Sequence, residues 1–354
     1  MEEQLKVHRE AIDALDAEIL RLISERAGHA QAIGALKKGV IYRPEREAQV
    51  LRRIKELNQG PLADDTAARL FREIMSACLA LEQPLSAGFL GPVGTFTQAA
   101  VIKHFGHAAR AEACASIDEV FRKVESGALN YGVVPVENST EGAVGRTLDL
   151  LMQSPLQICG EVELRIHQNL LRKVAGLDGV KKIVSHSQSL AQCHEWLNAN
   201  LPGVPREAVS SNAEAARLAS EDESLVALAG ETAAEIYALN VLAANIEDEP
   251  NNTTRFWVLG QHDANVSGKD RTSIVVAAKN RPGAIVELLQ PLAASNVSMS
   301  KLESRPARSG LWEYVFFVDI EGHRNDEKVA HALQAVEARA SFMKILGSYP
   351  VAVL

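Results

Sequence analysis

The chain has 354 residues, 47% hydrophobic and 23% charged, with a formal net charge of -8, a length suited to two or three domains each with its own core. The negative balance argues against a nucleic-acid-binding surface, and no stretch approaches the ~18 apolar residues of a membrane span. The start, MEEQLK, has no basic region followed by an apolar run, and the cysteines (Cys78, Cys114, Cys159, Cys193) form no C-x-x-C pair, so the expectation is a cytoplasmic protein with reduced structural thiols.

Residues 1–85 read as helical throughout. Ile12, Leu15, Ile19, Leu22 and Ile33 recur at three-four spacing, which predicts one helix to about Lys38, ended at Gly39. A second helix is expected from Pro44 to about Asn58, and a third from Asp64 or Asp65, whose carboxylates can cap it, to Glu82. Arg9, Arg26 and Lys37 fall on or beside the apolar stripe. Cations on a core-facing stripe are costly without a negative partner, so the stripe is expected to line an anion site as well as to pack. A helix of this length spans roughly 54 Å, more than two shorter helices cover, which predicts an intertwined homodimer. Arg9 lies about 26 Å along the axis from Arg26, so the two serve different sites unless a partner chain runs antiparallel.

The motifs R-E-x-I-x-A-L-D (Arg9 to Asp16), Glu25-Arg26, G-x-x-K (Gly34 to Lys37) and P-x-R-E (Pro44 to Glu47) make this block resemble the all-helical chorismate mutase family. The resemblance implies that Arg9 reaches into the partner's site and that Arg26 and Arg46 hold the substrate carboxylates. It implies further that Lys37 meets the ether oxygen and Glu47 the ring hydroxyl. The rearrangement of chorismate is pericyclic and needs neither nucleophile nor metal, only a compact conformer and stabilised charge on the breaking ether. Glu82 stands where many relatives have Gln, and Cys78 where many have Ser. A carboxyl donates to the ether oxygen only when protonated, so mutase activity is expected to fall as pH rises.

Residues 86–265 alternate short apolar runs with helical patterns. AGFLG, YGVVPVE, QICGEVEL, KKIVSH, SLVALAG and RFWVLG read as strands, and TQAAVIKHF, IDEVFRKVES, LAQCHEWLNA and AEAARLAS as helices, an α/β domain. Four polar loops follow or enter strands: Gly91 to Thr97, Val134 to Val144, Ser185 to Cys193 and Asn251 to Phe256. They are expected to meet at one mouth of the sheet. Their motifs, G-P-x-G-T-F-T, V-P-V-E-N-S, S-H-x-Q-x-L-A-Q-C and T-R-F, occur in the order found in prephenate dehydratases, which this block resembles. That resemblance implies two α/β lobes, similar to periplasmic binding proteins, around a cleft. Thr254 is then the leading catalytic residue, hydrogen-bonding within a network with Glu137, and Asn138, Gln188 and His186 join it. Thr95, Phe96, Thr97, Ser139, Thr140, Ser185, Arg255 and Phe256 line the cleft. For His186 the alternatives are a general acid and a structural histidine of its loop; for Arg255, a substrate contact and an ion pair with a lobe carboxylate.

After a polar linker from Gly260 to Asp270, residues 270–354 read β-α-β-β-α-β, a ferredoxin-like α+β sandwich. Asn280-Arg281-Pro282-Gly283-Ala284 joins the first strand to its helix, and Glu303-Ser304-Arg305-Pro306 ends the second. These resemble the ACT regulatory domain, in which the loop here formed by Asn280, Gly283, Ala284, Ile285 and Val286 and the segment Glu303 to Pro306 bind phenylalanine between paired domains. The expected whole is a multidomain enzyme of phenylalanine biosynthesis. It takes chorismate and prephenate, is inhibited by phenylalanine, needs no cofactor or metal, and forms a homodimer or a tetramer. The rival readings are a monofunctional dehydratase with a helical dimerisation arm and a non-catalytic amino-acid sensor.

Overall fold

The computed structural model describes residues 1–36, 39, 42–278, 281–307 and 314–354. Three helices open the chain: α1 (Glu2–Leu36), α2 (Pro44–Leu57) and α3 (Asp64–Glu82). Pro44 occupies the first turn of α2, where its missing N–H costs nothing. The expected cap of α3 differs: Ala63 is the N-cap, and Asp64 and Asp65 sit inside the first turn, where they meet the helix dipole rather than cap it. No residue of α1 is buried; Ile12, Leu15 and Ile19 are each more than half exposed. The helix touches the rest of its own chain through α3, where a Cβ on Gly34 would lie 2.9 Å from Glu82 Cγ.

The central block begins with β1 (Ser86–Leu90), α4 (Phe96–Phe105), β2 (Arg110–Cys114), α5 (Ile117–Glu125), β3 (Tyr131–Asn138), β4 (Gly142–Ala143), α6 (Gly145–Gln153) and β5 (Gln157–Arg165). It continues through β6 (Asn169–Arg172), β7 (Lys182–Ser185), α7 (Ser187–Gln192), α8 (His194–Asn200), β8 (Arg206–Ala208), α9 (Asn212–Glu221), β9 (Leu225–Ala229), α10 (Glu231–Ile236), β10 (Asn240–Ala243) and β11 (Thr253–Gly260). Thr95, Ser116 and Ser211 cap α4, α5 and α9 by accepting from the backbone N–H three residues on, as short hydroxyl side chains do. The strands form two sheets, one ordered β2-β1-β3-β11-β5 with β4 on β3, the other β10-β6-β9-β7-β8. These are two lobes, and the chain crosses between them twice. The crossings lie side by side: Ile166 N–H donates to Asn252 O at 2.8 Å and Ile246 N–H to Gln168 O at 2.8 Å. The single helix expected over LAQCHEWLNA is broken at Cys193 into α7 and α8.

The last domain comprises β12 (Asp270–Ala277), α11 (Ala284–Ala294), β13 (Met299–Pro306), β14 (Tyr314–Glu321), α12 (Glu327–Glu337) and β15 (Phe342–Pro350), with sheet order β13-β14-β12-β15. Its helices cover one face through Leu288, Leu292, Val329, Leu333 and Val336. The other face is not solvated. Val275, Val315, Phe317, Leu346 and Tyr349 share one buried cluster with Val134, Leu148, Ile158 and Trp257 of the first lobe. β15 packs against β5 so closely that a Cβ on Gly347 would lie 2.1 Å from Ile158 O. The segment 261–270, expected to be a linker, is docked on α2. Asn265 Nδ2 donates to Glu45 Oε1 at 3.0 Å, and Arg52 donates to the carbonyls of Ser267 and Lys269 at 3.0 and 2.9 Å.

Candidate active sites

A cavity of about 440 Å³ opens where α1, α2 and α3 meet. It brings together Arg26, Arg46, Glu47 and Glu82, with His29, Arg43 and Cys78 also on its wall. Lys37 lies outside the described residues. Arg9 sits on the exposed stretch of α1, seventeen residues and about 26 Å from Arg26, and does not reach this cavity in its own chain. Glu47 is paired with Arg72 of α3 at 2.9 Å, both side chains largely buried. Burial pushes the Glu47 carboxyl above the usual carboxylate range, and Arg72 opposes the rise. Arg72 in turn donates to the carbonyls of Lys103, at 3.3 Å, and His104, at the end of α4. The Tyr42 hydroxyl meets His104 Nε2 at 3.0 Å, and burial, then Arg72, holds the His104 imidazole well below its usual range. The helical site is therefore backed by the central block. Sequence motifs gave no sign of Arg72, which belongs to none of them.

A second cavity, of about 330 Å³, lies between the two lobes. Of the residues expected there, Phe96, Thr97, Asn138, Gln188, Thr254 and Phe256 line it. Asn138 is held as an Asx turn: its Oδ1 accepts from Thr140 N–H at 3.0 Å, Thr140 Oγ1 at 2.6 Å and Glu141 N–H at 3.2 Å. Its Nδ2 donates to Thr254 Oγ1 at 2.9 Å and Asn252 Oδ1 at 2.8 Å.

Other expected residues support the walls instead of lining the cleft. Thr95 caps α4 and donates to Leu90 O at 3.1 Å, and Thr140 is spent on Asn138. Ser139 brackets Thr253 through two hydrogen bonds, of 2.9 and 3.0 Å. Ser185 is buried and donates to Leu228 O at 2.7 Å. His186 caps α7, its Nδ1 accepting from Gln188 N–H at 3.4 Å, which is the structural alternative.

Glu137 and Arg255 face away from the cleft. They are paired in register across β3 and β11, one residue out of phase with Asn138 and Thr254, and alternate strand residues point to opposite faces. Arg255 pairs with Glu161 at 2.9 Å and Asp319 at 2.6 Å and donates to the Tyr349 hydroxyl at 2.9 Å. Burial opposes its charge, but Tyr349, Asp319 and Glu161 outweigh that and hold the guanidinium above its ordinary value. Glu137 pairs with Lys301 at 2.9 Å.

The cleft also has residues the motifs did not single out: Gln168, Ser189, Asn212 and Asn252. Asn212 Nδ2 donates to Ser189 Oγ at 2.7 Å and Gln168 Oε1 at 3.0 Å, and Gln168 Nε2 to Ser189 Oγ at 3.0 Å. Asn252 was open to recognition, standing two residues before Thr254 and so on the same face of an extended chain.

In the last domain, Gly283 precedes α11 with φ 79°, a left-handed conformation that favours glycine. Ile285 beside it is 42% exposed. Along β13, Ser304 and Pro306 are exposed while Lys301, Glu303 and Arg305 are partly covered. Arg305 points to the first lobe and pairs with Asp149 of α6 at 3.0 Å, away from Gly283 and Ala284. Asn280 lies outside the described residues.

Family models match the chain in three consecutive stretches: chorismate mutase type II over residues 8–83, prephenate dehydratase over 87–264 and ACT domain over 272–338. A bifunctional chorismate mutase/prephenate dehydratase of Neisseria gonorrhoeae is 61% identical over 358 residues, covering 100% of this chain and 99% of its own. The protein of the same description from Pseudomonas aeruginosa is 51% identical, covering 100% and 99%. Among solved structures, a prephenate dehydratase from Arthrobacter aurescens in complex with L-Phe superposes with TM-score 0.69 at 35% identity, over 75% of this chain and 90% of its own.

Proposed function

This chain belongs to the family of bifunctional chorismate mutase/prephenate dehydratases, and we propose that its two reactions run in the two cavities described, one in the helical block and one between the lobes. It isomerises chorismate to prephenate and converts prephenate to phenylpyruvate, with phenylalanine as feedback inhibitor. The observation that carries the assignment is the separation of two differently equipped cavities in one chain. The first offers Arg26 and Arg46 to a dianion, with Glu47 and Glu82 beside them. The second is lined mainly by amides, hydroxyls and apolar groups.

In the helical site, Arg26 and Arg46 hold the two carboxylates of chorismate and fix its compact conformer. Glu47 accepts from the ring hydroxyl, and Lys37 and Glu82 act on the ether oxygen. Arg9 enters from a partner chain, supported by the exposed apolar stripe of α1 and by the distance from Arg9 to its own Arg26. In the cleft, Thr254 donates to the departing C4 hydroxyl, oriented by Asn138, while Phe96 and Phe256 keep the departing CO2 in an apolar setting. Phenylalanine binds at Gly283 to Ile285 and Ser304, between paired last domains. Glu137, Arg255 and Arg305 act by joining the last domain to the first lobe. Among the described residues no helix is long and apolar enough to cross a membrane, and the four cysteines are buried and free, which supports a reducing, cytoplasmic setting.

The test is separation of the activities. Arg46→Ala stops chorismate consumption and leaves conversion of supplied prephenate to phenylpyruvate. Thr254→Ala does the reverse, so that prephenate accumulates from chorismate. A single variant that removes both activities from a folded chain overturns the two-cavity assignment.

A further inference from the structure

The hydrogen-bond network behind Thr254 fixes which atoms of Asn138, Asn252 and Thr254 donate and which accept. Asn138 Oδ1 accepts from the backbone N–H groups of Thr140 and Glu141, donors that cannot reverse roles. Its other atom is therefore Nδ2, a donor. That amide donates to Thr254 Oγ1 and to Asn252 at 2.9 and 2.8 Å. The atom Asn252 presents to Asn138 must be its oxygen, which leaves Asn252 Nδ2 pointing elsewhere. Thr254 Oγ1, already an acceptor, keeps its proton to donate. Asn252 is 1% exposed, lines the cleft with Thr254, and its Nδ2 has no partner among the described residues. A buried donor without an acceptor is destabilising, so a site that keeps one has a use for it when substrate is bound.

We infer that Asn252 is a second catalytic donor, whose Nδ2–H and the Thr254 hydroxyl together grip the oxygen that leaves C4 of prephenate. The inference rests on the assignment of the dehydratase reaction to this cleft. As the bond from the ring to its carboxylate breaks, CO2 departs and the electron pair moves through the ring to complete the aromatic system. The C4–O bond breaks with its pair going to oxygen, which takes one proton from solvent and leaves as water. Negative charge develops on that oxygen, and two preorganised donors stabilise it more than they stabilise the neutral ground-state hydroxyl. Asn138, touching neither substrate atom, positions both donors at once.

The experiment compares Asn252→Ala, Asn252→Asp and Thr254→Ala in the full chain. Asn252→Asp keeps an acceptor for Asn138 and loses the donor. Both Asn252 variants should lose about 10²- to 10³-fold in dehydratase kcat, the scale for removing one oxyanion donor, while retaining mutase activity, which reports that the chain is folded. Phenylpyruvate lacks the departed hydroxyl, so its inhibition constant should stay unchanged in Asn252→Ala. Wild-type kcat in both Asn252 variants overturns the inference while Thr254→Ala is inactive. Loss of phenylpyruvate binding in parallel with kcat in Asn252→Ala also overturns it, assigning Asn252 to the cleft wall. Full activity in Thr254→Ala removes the cleft assignment itself.

Discussion

Arg72 and Glu47 show how far a single residue's role depends on contacts made from elsewhere in the chain. Glu47 was legible as a site residue because it belongs to P-x-R-E, one of the motifs that carry the resemblance to the chorismate mutase family. Its environment was not legible, because Arg72 lies on another helix and is itself held by carbonyls at the end of α4. Burial raises the Glu47 carboxyl and Arg72 lowers it; Tyr42 also faces it on the cavity wall, with Arg43, Arg46 and Glu82 around the same space. The ionised carboxylate is the stronger acceptor for the ring hydroxyl of chorismate. Mutase kcat/KM should therefore decline in acid as Glu47 takes up a proton. In Arg72→Gln the lowering influence is gone, so this acid limb should move to higher pH, and Arg72→Lys should hold it nearer its wild-type position. An acid limb that stays in place in Arg72→Gln would separate Arg72 from the reaction.

At the scale of elements, periodicity is a good guide, and applied to single positions it corrects the reading by motif. The three-four stripe of α1, the α/β alternation and the β-α-β-β-α-β order all appear in the structure. Phase along β11 was the finer signal: Thr254 and Phe256 share the cleft face, and period-two alternation sends Arg255 to the other, although T-R-F reads as one motif. Helices α6 and α10 and strands β2, β4, β6, β8 and β10 add to the expected elements; all but α6 have six residues or fewer, too few to establish a period. α1 carries the remaining question of its stripe, since Ile12, Leu15, Ile19 and Leu22 are about half exposed although each such side chain gains roughly 1.5–3 kcal/mol when fully buried. A second copy of α1 would cover them and bring Arg9 to the other chain's Arg26 and Arg46. Sedimentation should show the wild type as a dimer or larger, and Ile19→Asp should shift it toward a smaller species with mutase activity lost and dehydratase activity kept. A monomeric wild type with full mutase activity would leave the stripe unexplained.

For the whole molecule, the polar stretch from Gly260 to Asp270 reads as a tether, and the structure makes it a seam. Its partners, Glu45 and Arg52, are over two hundred residues distant in sequence, which no local pattern reveals. The last domain likewise hangs on no hinge among the described residues: it shares a core with the first lobe, and Lys344 donates to the carbonyls of Leu151 at 2.9 Å and Ser154 at 2.6 Å around the end of α6. One route between the last domain and the cleft runs through Arg255. Its neighbour Thr254 faces the cleft, while its own guanidinium is held by Asp319 and Tyr349 of the last domain and Glu161 of the first lobe. A shift of the last domain on phenylalanine binding would bear directly on the strand that carries Thr254. Coupling of this kind is typically 1–3 kcal/mol. Asp319→Asn keeps the shape, removes the charge and leaves Glu161 to hold Arg255, so uninhibited dehydratase turnover should persist. The phenylalanine concentration giving half inhibition should rise at least about fivefold, the lower end of that coupling. If Asp319→Asn is inhibited as the wild type is, Arg255 serves stability alone and the signal travels another way, the α6 contacts of Arg305 and Lys344 being next in line.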